Sequence, residues 1–134
     1  MPISRPLLEE ATTRSIIGAF RDVHRVLGFG HRELIYSLAL ERELRVAGHD
    51  VRREVPIMVY YRGEPLARQA ADMVVDSRVI LEIKAGKQLD PTTAAQLQGY
   101  LCATDVEVGL VLHFGQQPKF QRMIYENRLK LRSK

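Results

Sequence analysis

The sequence predicts an α/β (α+β) fold in which helices pack on a mixed β-sheet. Three observations predict it. Apolar residues recur at helical spacing from about Leu8 to Ala47. The pattern then changes to strand-like runs between Val55 and Lys84. Finally, a helical stretch precedes one more apolar strand, which is how a crossover between parallel strands is made.

Each element has its own signal. Ile16, Phe20, Val23 and Leu27 repeat at i, i+4, i+7 and i+11, one face of a helix from about Leu8 to Leu27. Gly28-Phe29-Gly30 stops it. A second helix is expected from Arg32 to Ala47, with Gly48 as its C-terminal cap. Val55, Ile57, Val59 and Tyr61 alternate, and Pro56 marks that strand as an edge. Arg62-Gly63-Glu64-Pro65 reads as a turn. Ala70 to Val75 and Val79 to Lys84 are two further strands around Asp76-Ser77-Arg78. Asp90-Pro91 reads as cap and first residue of a helix that runs to about Ala103. Val106 to Phe114 is apolar enough to be buried on both faces. Phe120 to Tyr125 fits strand or helix.

Length and composition narrow the classes. At 134 residues and 15.3 kDa the chain holds one domain, 1–134. With 46% hydrophobic and 27% charged residues it is neither disordered, collagenous nor a coiled coil. No apolar run approaches the roughly 20 residues of a membrane span, and no membrane partner is expected. Met1-Pro2-Ile3-Ser4-Arg5-Pro6 leads into no apolar stretch, so no signal peptide is expected. Cys102 is the single cysteine, which excludes an internal disulfide and a thiolate cluster. The cytoplasm is the expected compartment. Twenty basic residues face sixteen acidic ones, a net +4. Residues 118–134 carry +5 of it, so the rest of the chain sums to −1. Such a tail either touches phosphates or is a solvated terminus.

Four polar residues stand where apolar ones would fit. Glu33 lies on the helical stripe of Tyr36, Leu40 and Leu44, which aims it at the body of the protein. A glutamate opening a helix also suits the positive end of the helix dipole, and position allows both readings. Glu82 and Lys84 share one strand face, with Val79, Leu81 and Ile83 on the other. Alone, such a pair can simply face solvent. Asp72 is the fourth. A three-residue loop pairs Val75 with Val79 and therefore Asp72 with Glu82. A two-residue loop would set Asp72 opposite Leu81, on the wrong face. Carboxylates directly opposite each other repel, and a third from Glu33 adds to the repulsion. A shared proton or a bound cation relieves it. Three hard oxygen donors suit Mg²⁺ or Mn²⁺, with the Ile83 backbone carbonyl as a further ligand. Zinc fits less well, because His24, His31, His49 and His113 are scattered. Lys84 beside a metal can handle a water or neutralise a phosphate. Gln96 and Tyr100 stack at i and i+4 on the third helix, and Gly99 in its middle suggests a close approach to a strand or ligand.

In order, Gly30-His31-Arg32-Glu33-Leu34-Ile35-Tyr36, Asp72, Glu82-Ile83-Lys84 and Gln96-Leu97-Gln98-Gly99-Tyr100 resemble the PD-(D/E)XK nuclease superfamily. More narrowly, the set is similar to the small bacterial proteins named for a GxxExxY motif. The likeness covers about Thr13 to Gly115. Ala71 replaces the motif's proline, and Gln69 replaces a glycine found in the branch that carries QxxxY. The resemblance implies a restriction-endonuclease-like αβββαβ core with an extra N-terminal helix. It implies Mg²⁺-dependent hydrolysis of nucleic acid, DNA before RNA. Glu33, Asp72 and Glu82 would be metal ligands and Asp72, Glu82 and Lys84 the catalytic set. Gln96, Tyr100 and Tyr36 would position substrate. The alternative is a catalytically idle nucleic-acid-binding or accessory subunit. A chain this short also favours a homodimer or a larger complex.

Overall fold

A computed structural model describes residues 8–131. Met1 to Pro6, Arg132 and Lys134 lie outside the described residues. Two helices come first, α1 (Glu10–Leu27) and α2 (Glu33–Val46). Then follow β1 (Val51–Tyr61), β2 (Glu64–Val75), β3 (Val79–Ala85), α3 (Thr92–Ala103), β4 (Val108–Phe114) and β5 (Pro118–Ile124). The strands form one sheet in the order β1-β2-β3-β4-β5. The first three make an antiparallel meander, and α3 crosses over to set β4 parallel to β3. This is the expected mixed sheet with helices on its faces, consistent with a restriction-endonuclease-like fold. No helix among the described residues is long and apolar enough to cross a membrane.

Local chemistry explains the boundaries. Gly48 takes a φ of 93° after α2, and the Gly48 and His49 amides donate to the Arg45 and Leu44 carbonyls. That is a Schellman ending, which a residue with a Cβ resists. The Asp90 carboxylate accepts from the Thr92 amide at 2.9 Å at the start of α3. β4 is buried along its whole length, as its composition demands. β1 is the edge strand that Pro56 signals.

The sheet separates two cores. Ile16, Phe20, Tyr36, Leu40 and Leu44 of α1 and α2 pack on Met73, Leu81, Ile83 and Leu112. On the other face, Leu97, Tyr100 and Leu101 of α3 pack on Ile57, Ala71, Ile80 and Val111. Gly109 makes that second contact possible, since a Cβ there would meet the Leu97 side chain at 2.8 Å. It is therefore Gly109, and not Gly99, that marks a close approach; a Cβ on Gly99 would find open space.

The C-terminal segment departs from a solvated tail. Residues 118–124 pair with β4 as a strand. Lys130 is buried, and its Nζ donates to the Thr104 and Val106 carbonyls at 2.9 and 2.8 Å. These are acceptors at and just beyond the negative end of α3, where a cation is favoured.

Candidate active site

β3 builds the centre. Glu82 is only 2% exposed, because the face it shares with Ile80 is covered by α3. The solvent-facing reading of Glu82 is thereby excluded. β2 supplies the second acid. Val75 pairs with Val79, Val74 with Ile80 and Met73 with Leu81, as a three-residue loop requires. At the next position side chains take over from the backbone ladder. The Asp72 amide donates to Glu82 Oε1 at 3.3 Å, and the Ile83 amide donates to Asp72 Oδ2 at 2.8 Å. The Ile83 carbonyl lies on that same strand edge, where the backbone pairing has stopped.

The loop that sets this register contains no glycine, yet Asp76 and Ser77 both adopt left-handed φ values, 55° and 56°. Side chains hold it. Asp76 accepts from the Asp50 amide at 2.8 Å and from His49 Nδ1 at 2.7 Å. His49 Nε2 in turn meets Ser15 Oγ of α1 at 2.7 Å. Burial opposes the charge on Asp76, but these hydrogen bonds outweigh it and hold the carboxyl below its ordinary range. On the other strand of the meander, Glu54 is also left-handed, at φ 53°, between the Arg53–Met73 and Val55–Ala71 pairs. Ala71 and Val74 both reach the core under α3, so β2 loses its strict alternation at Asp72.

The electrostatics follow from burial. Glu82 is raised to about 8, first by loss of solvent and then by the neighbouring Asp72 charge, with Lys84 pulling the other way. The Tyr100 phenol is pushed up by burial and by the charges of Glu82 and Asp72, while a hydrogen bond with the Gln96 side chain opposes this. Tyr100, Asp72 and Glu82 therefore share one environment between α3 and the sheet, and Gln96, exposed one turn earlier on α3, bonds the Tyr100 hydroxyl at its rim. Lys84 is half-buried at its edge.

Two expected residues are placed differently. Glu33 does not point into the body of the protein: it is exposed at the start of α2. Its helix packs on the opposite face of the sheet from α3. Among the described residues no three His, Cys, Asp or Glu side chains gather at a point, so the acids meet as a pair. Glu33 instead lines a cavity of about 570 Å³ with His31, Arg32, Ala85 and Gly86, just beyond Lys84. Tyr36 is fully buried and stacks on Phe114 with ring centroids 4.2 Å apart. Its hydroxyl donates to the Gly28 carbonyl at 2.5 Å and accepts from the His31 amide at 3.2 Å. A side chain so enclosed shapes the α1–α2 loop and does not touch a substrate.

His113 is the residue that sequence reasoning missed. It is paired with Lys84 in the parallel β3–β4 register and shares the α3 side with Val111. Buried, it donates from Nε2 to the Gly86 carbonyl at 2.7 Å, tying down the end of β3. Alternation from Val111 was the signal that could have found it.

A family model described as the PD-(D/E)XK nuclease superfamily matches residues 10–124. The matched span includes the acid pair, Lys84, Gln96 and Tyr100. Comparisons with curated proteins and with solved structures give no match.

Proposed function

We propose that this chain, which belongs to the PD-(D/E)XK nuclease superfamily, hydrolyses phosphodiester bonds of nucleic acid, DNA before RNA, with a divalent metal. The single observation that carries this reading is the pairing of the buried Glu82 with the half-buried Asp72 on the face beneath α3. A buried carboxylate beside a second acid is an electrostatic defect that a cation relieves. The raised Glu82 is the signature of that defect in the metal-free protein. The donor set is hard oxygen throughout, which suits Mg²⁺ or Mn²⁺. Asp72, Glu82 and the Ile83 carbonyl would hold the ion, and Glu33, which stands outside the pair, would not. When bound, the ion supplies Lewis-acid stabilisation of phosphate charge and lowers the pKa of a water.

The chain's own residues do the rest. Lys84, at the margin of the pair, neutralises the phosphate. Tyr100 and Gln96 form the α3 wall and orient the scissile group. His113, through Gly86, fixes the strand end that carries Lys84. The cavity lined by His31, Arg32 and Gly86 opens at the carboxyl end of β3, where ligands of parallel strands enter. The finer placement among GxxExxY proteins gives Gly30 and Tyr36 the work of shaping the loop before Glu33. A second reading, nucleic-acid binding without cleavage as an accessory subunit, is favoured by the position of Glu33 outside the pair. We place the protein in the bacterial cytoplasm, with a homodimer or larger complex as its working form.

Incubation of wild type and Lys84→Ala with single- and double-stranded DNA and Mn²⁺ tests the reading. Cleavage by wild type alone supports it. Binding without cleavage by either supports the second reading. Equal cleavage by both removes Lys84 from the mechanism.

A further inference from the structure

The groove between α1 and β5 lies on the opposite side of the sheet from the acid pair. It encloses about 470 Å³ and is lined by Arg14, Ile17, Arg21, Phe120 and Arg122, with Glu10 at one end. Three of these are arginines, and the one acid is already engaged in an exposed ion pair with Arg14 at 2.8 Å. Such exposed pairs are weak, so Arg14 is readily released to a stronger anion. Arg21 lies over the Phe120 ring, its guanidinium carbon 5.7 Å from the ring centroid. Phe120 is nonetheless 41% exposed. The Arg122 Nε is buried with no hydrogen-bond partner among the described residues, although its terminal amino group reaches the Leu8 carbonyl. Buried donors without acceptors are rare, and this one stands in the wall of a basic groove.

We propose that this groove binds a single strand of nucleic acid, separately from the acid pair. The inference rests on the nucleic-acid reading above and extends it to a second contact. The arginines supply phosphate contacts. The Arg21–Phe120 layer supplies a flat surface on which a base stacks without regard to sequence. An acidic polypeptide would use the charge but leave the half-exposed ring unused. A strand held here is anchored across β5, away from the cleavage position.

The test uses the full chain and a fluorescein-labelled oligothymidylate of about 20 nucleotides, in EDTA so that nothing is cut. Arg21→Ala should weaken binding about fivefold and reduce the salt slope by about one phosphate contact. Phe120→Ala should weaken binding about fivefold with the slope unchanged. Both residues are exposed, and thermal melts confirm that the variants fold. Glu82→Gln should abolish the Mn²⁺-induced rise in Tm, a readout separate from the groove. Wild-type affinity in both groove variants overturns the proposal, as does polyglutamate displacing the oligonucleotide charge for charge with Phe120→Ala silent. Loss of cleavage with groove binding intact would instead sink the catalytic reading alone.

Discussion

Glu82 couples the chemistry of the site to the stability of the fold. Its carboxyl titrates near 4.5 when the chain unfolds and near 8 when folded and metal-free. Between these values the folded state keeps a proton that the unfolded state has released. Stability therefore falls as pH rises through this window, by up to about 1.4 kcal/mol per pH unit, and is whole below it. Urea titrations from pH 5 to pH 8 without divalent ions should show the decline. Glu82→Gln should flatten it, since an amide oxygen still accepts from Asp72 and carries no charge. At pH 8 that variant should match or exceed wild type in stability while losing any response to Mn²⁺. A wild-type profile that rises with pH would refute the electrostatics of the buried Glu82. On the proposed metal-dependent reading, the same proton would compete with the ion. Mn²⁺ affinity should climb up to about tenfold per pH unit below 8 and then level, with proton release visible by calorimetry in buffers of different ionisation enthalpy.

At the scale of elements, two devices set where the acids and their wall stand. The first is the β2–β3 loop, whose left-handed Asp76 is tied to His49, Asp50 and, through His49, to Ser15. Asp76→Ala removes charged hydrogen bonds and should cost about 1–3 kcal/mol in urea unfolding. Ser77→Gly should stabilise by up to about 1 kcal/mol, because φ is already positive there. Reversed signs would mean that the loop is held by something else. The second is Lys130 at the end of α3, where Lys130→Ala should lower Tm by removing its donors to the part-buried Thr104 and Val106 carbonyls. The acid pair was legible in the sequence because a strand has a period of two and loop length fixes parity. Glu33 was not, because a helical wheel gives an angle but neither the face of the sheet nor the height along the helix. β5 was ambiguous because its burial is partial and irregular. Lys130 and His113 escaped because residue type alone assigns lysine to solvent and leaves a lone histidine without a partner. Tyr36 was misplaced for the reverse reason: a motif position shows that a residue matters but not whether it holds a loop or meets a ligand.

Across the whole molecule the sheet divides stability from chemistry. The larger core lies between the sheet and α1 with α2, and the smaller one beneath α3, beside the acid pair. Both cores depend on close packing, so deleting buried methyl groups from either should cost about 2–5 kcal/mol. Their effects on the site should differ. Leu112 faces α1 and α2, and Leu112→Ala creates a cavity on the side away from the acids. Leu97 seats α3 against Gly109, and α3 carries Gln96 and Tyr100. Leu97→Ala therefore loosens the wall over Glu82 as well as the core, admits water, and draws the Glu82 pKa back toward its ordinary value. Melts with and without Mn²⁺ separate the two consequences, because a ligand of the native state raises Tm by an amount set by its affinity. Leu112→Ala should lower Tm and preserve the increment given by Mn²⁺. Leu97→Ala should lower Tm by a similar amount, change that increment and shift its pH dependence to lower pH. Identical increments in both variants would show that α3 is no part of the metal environment and would detach Gln96 and Tyr100 from the site.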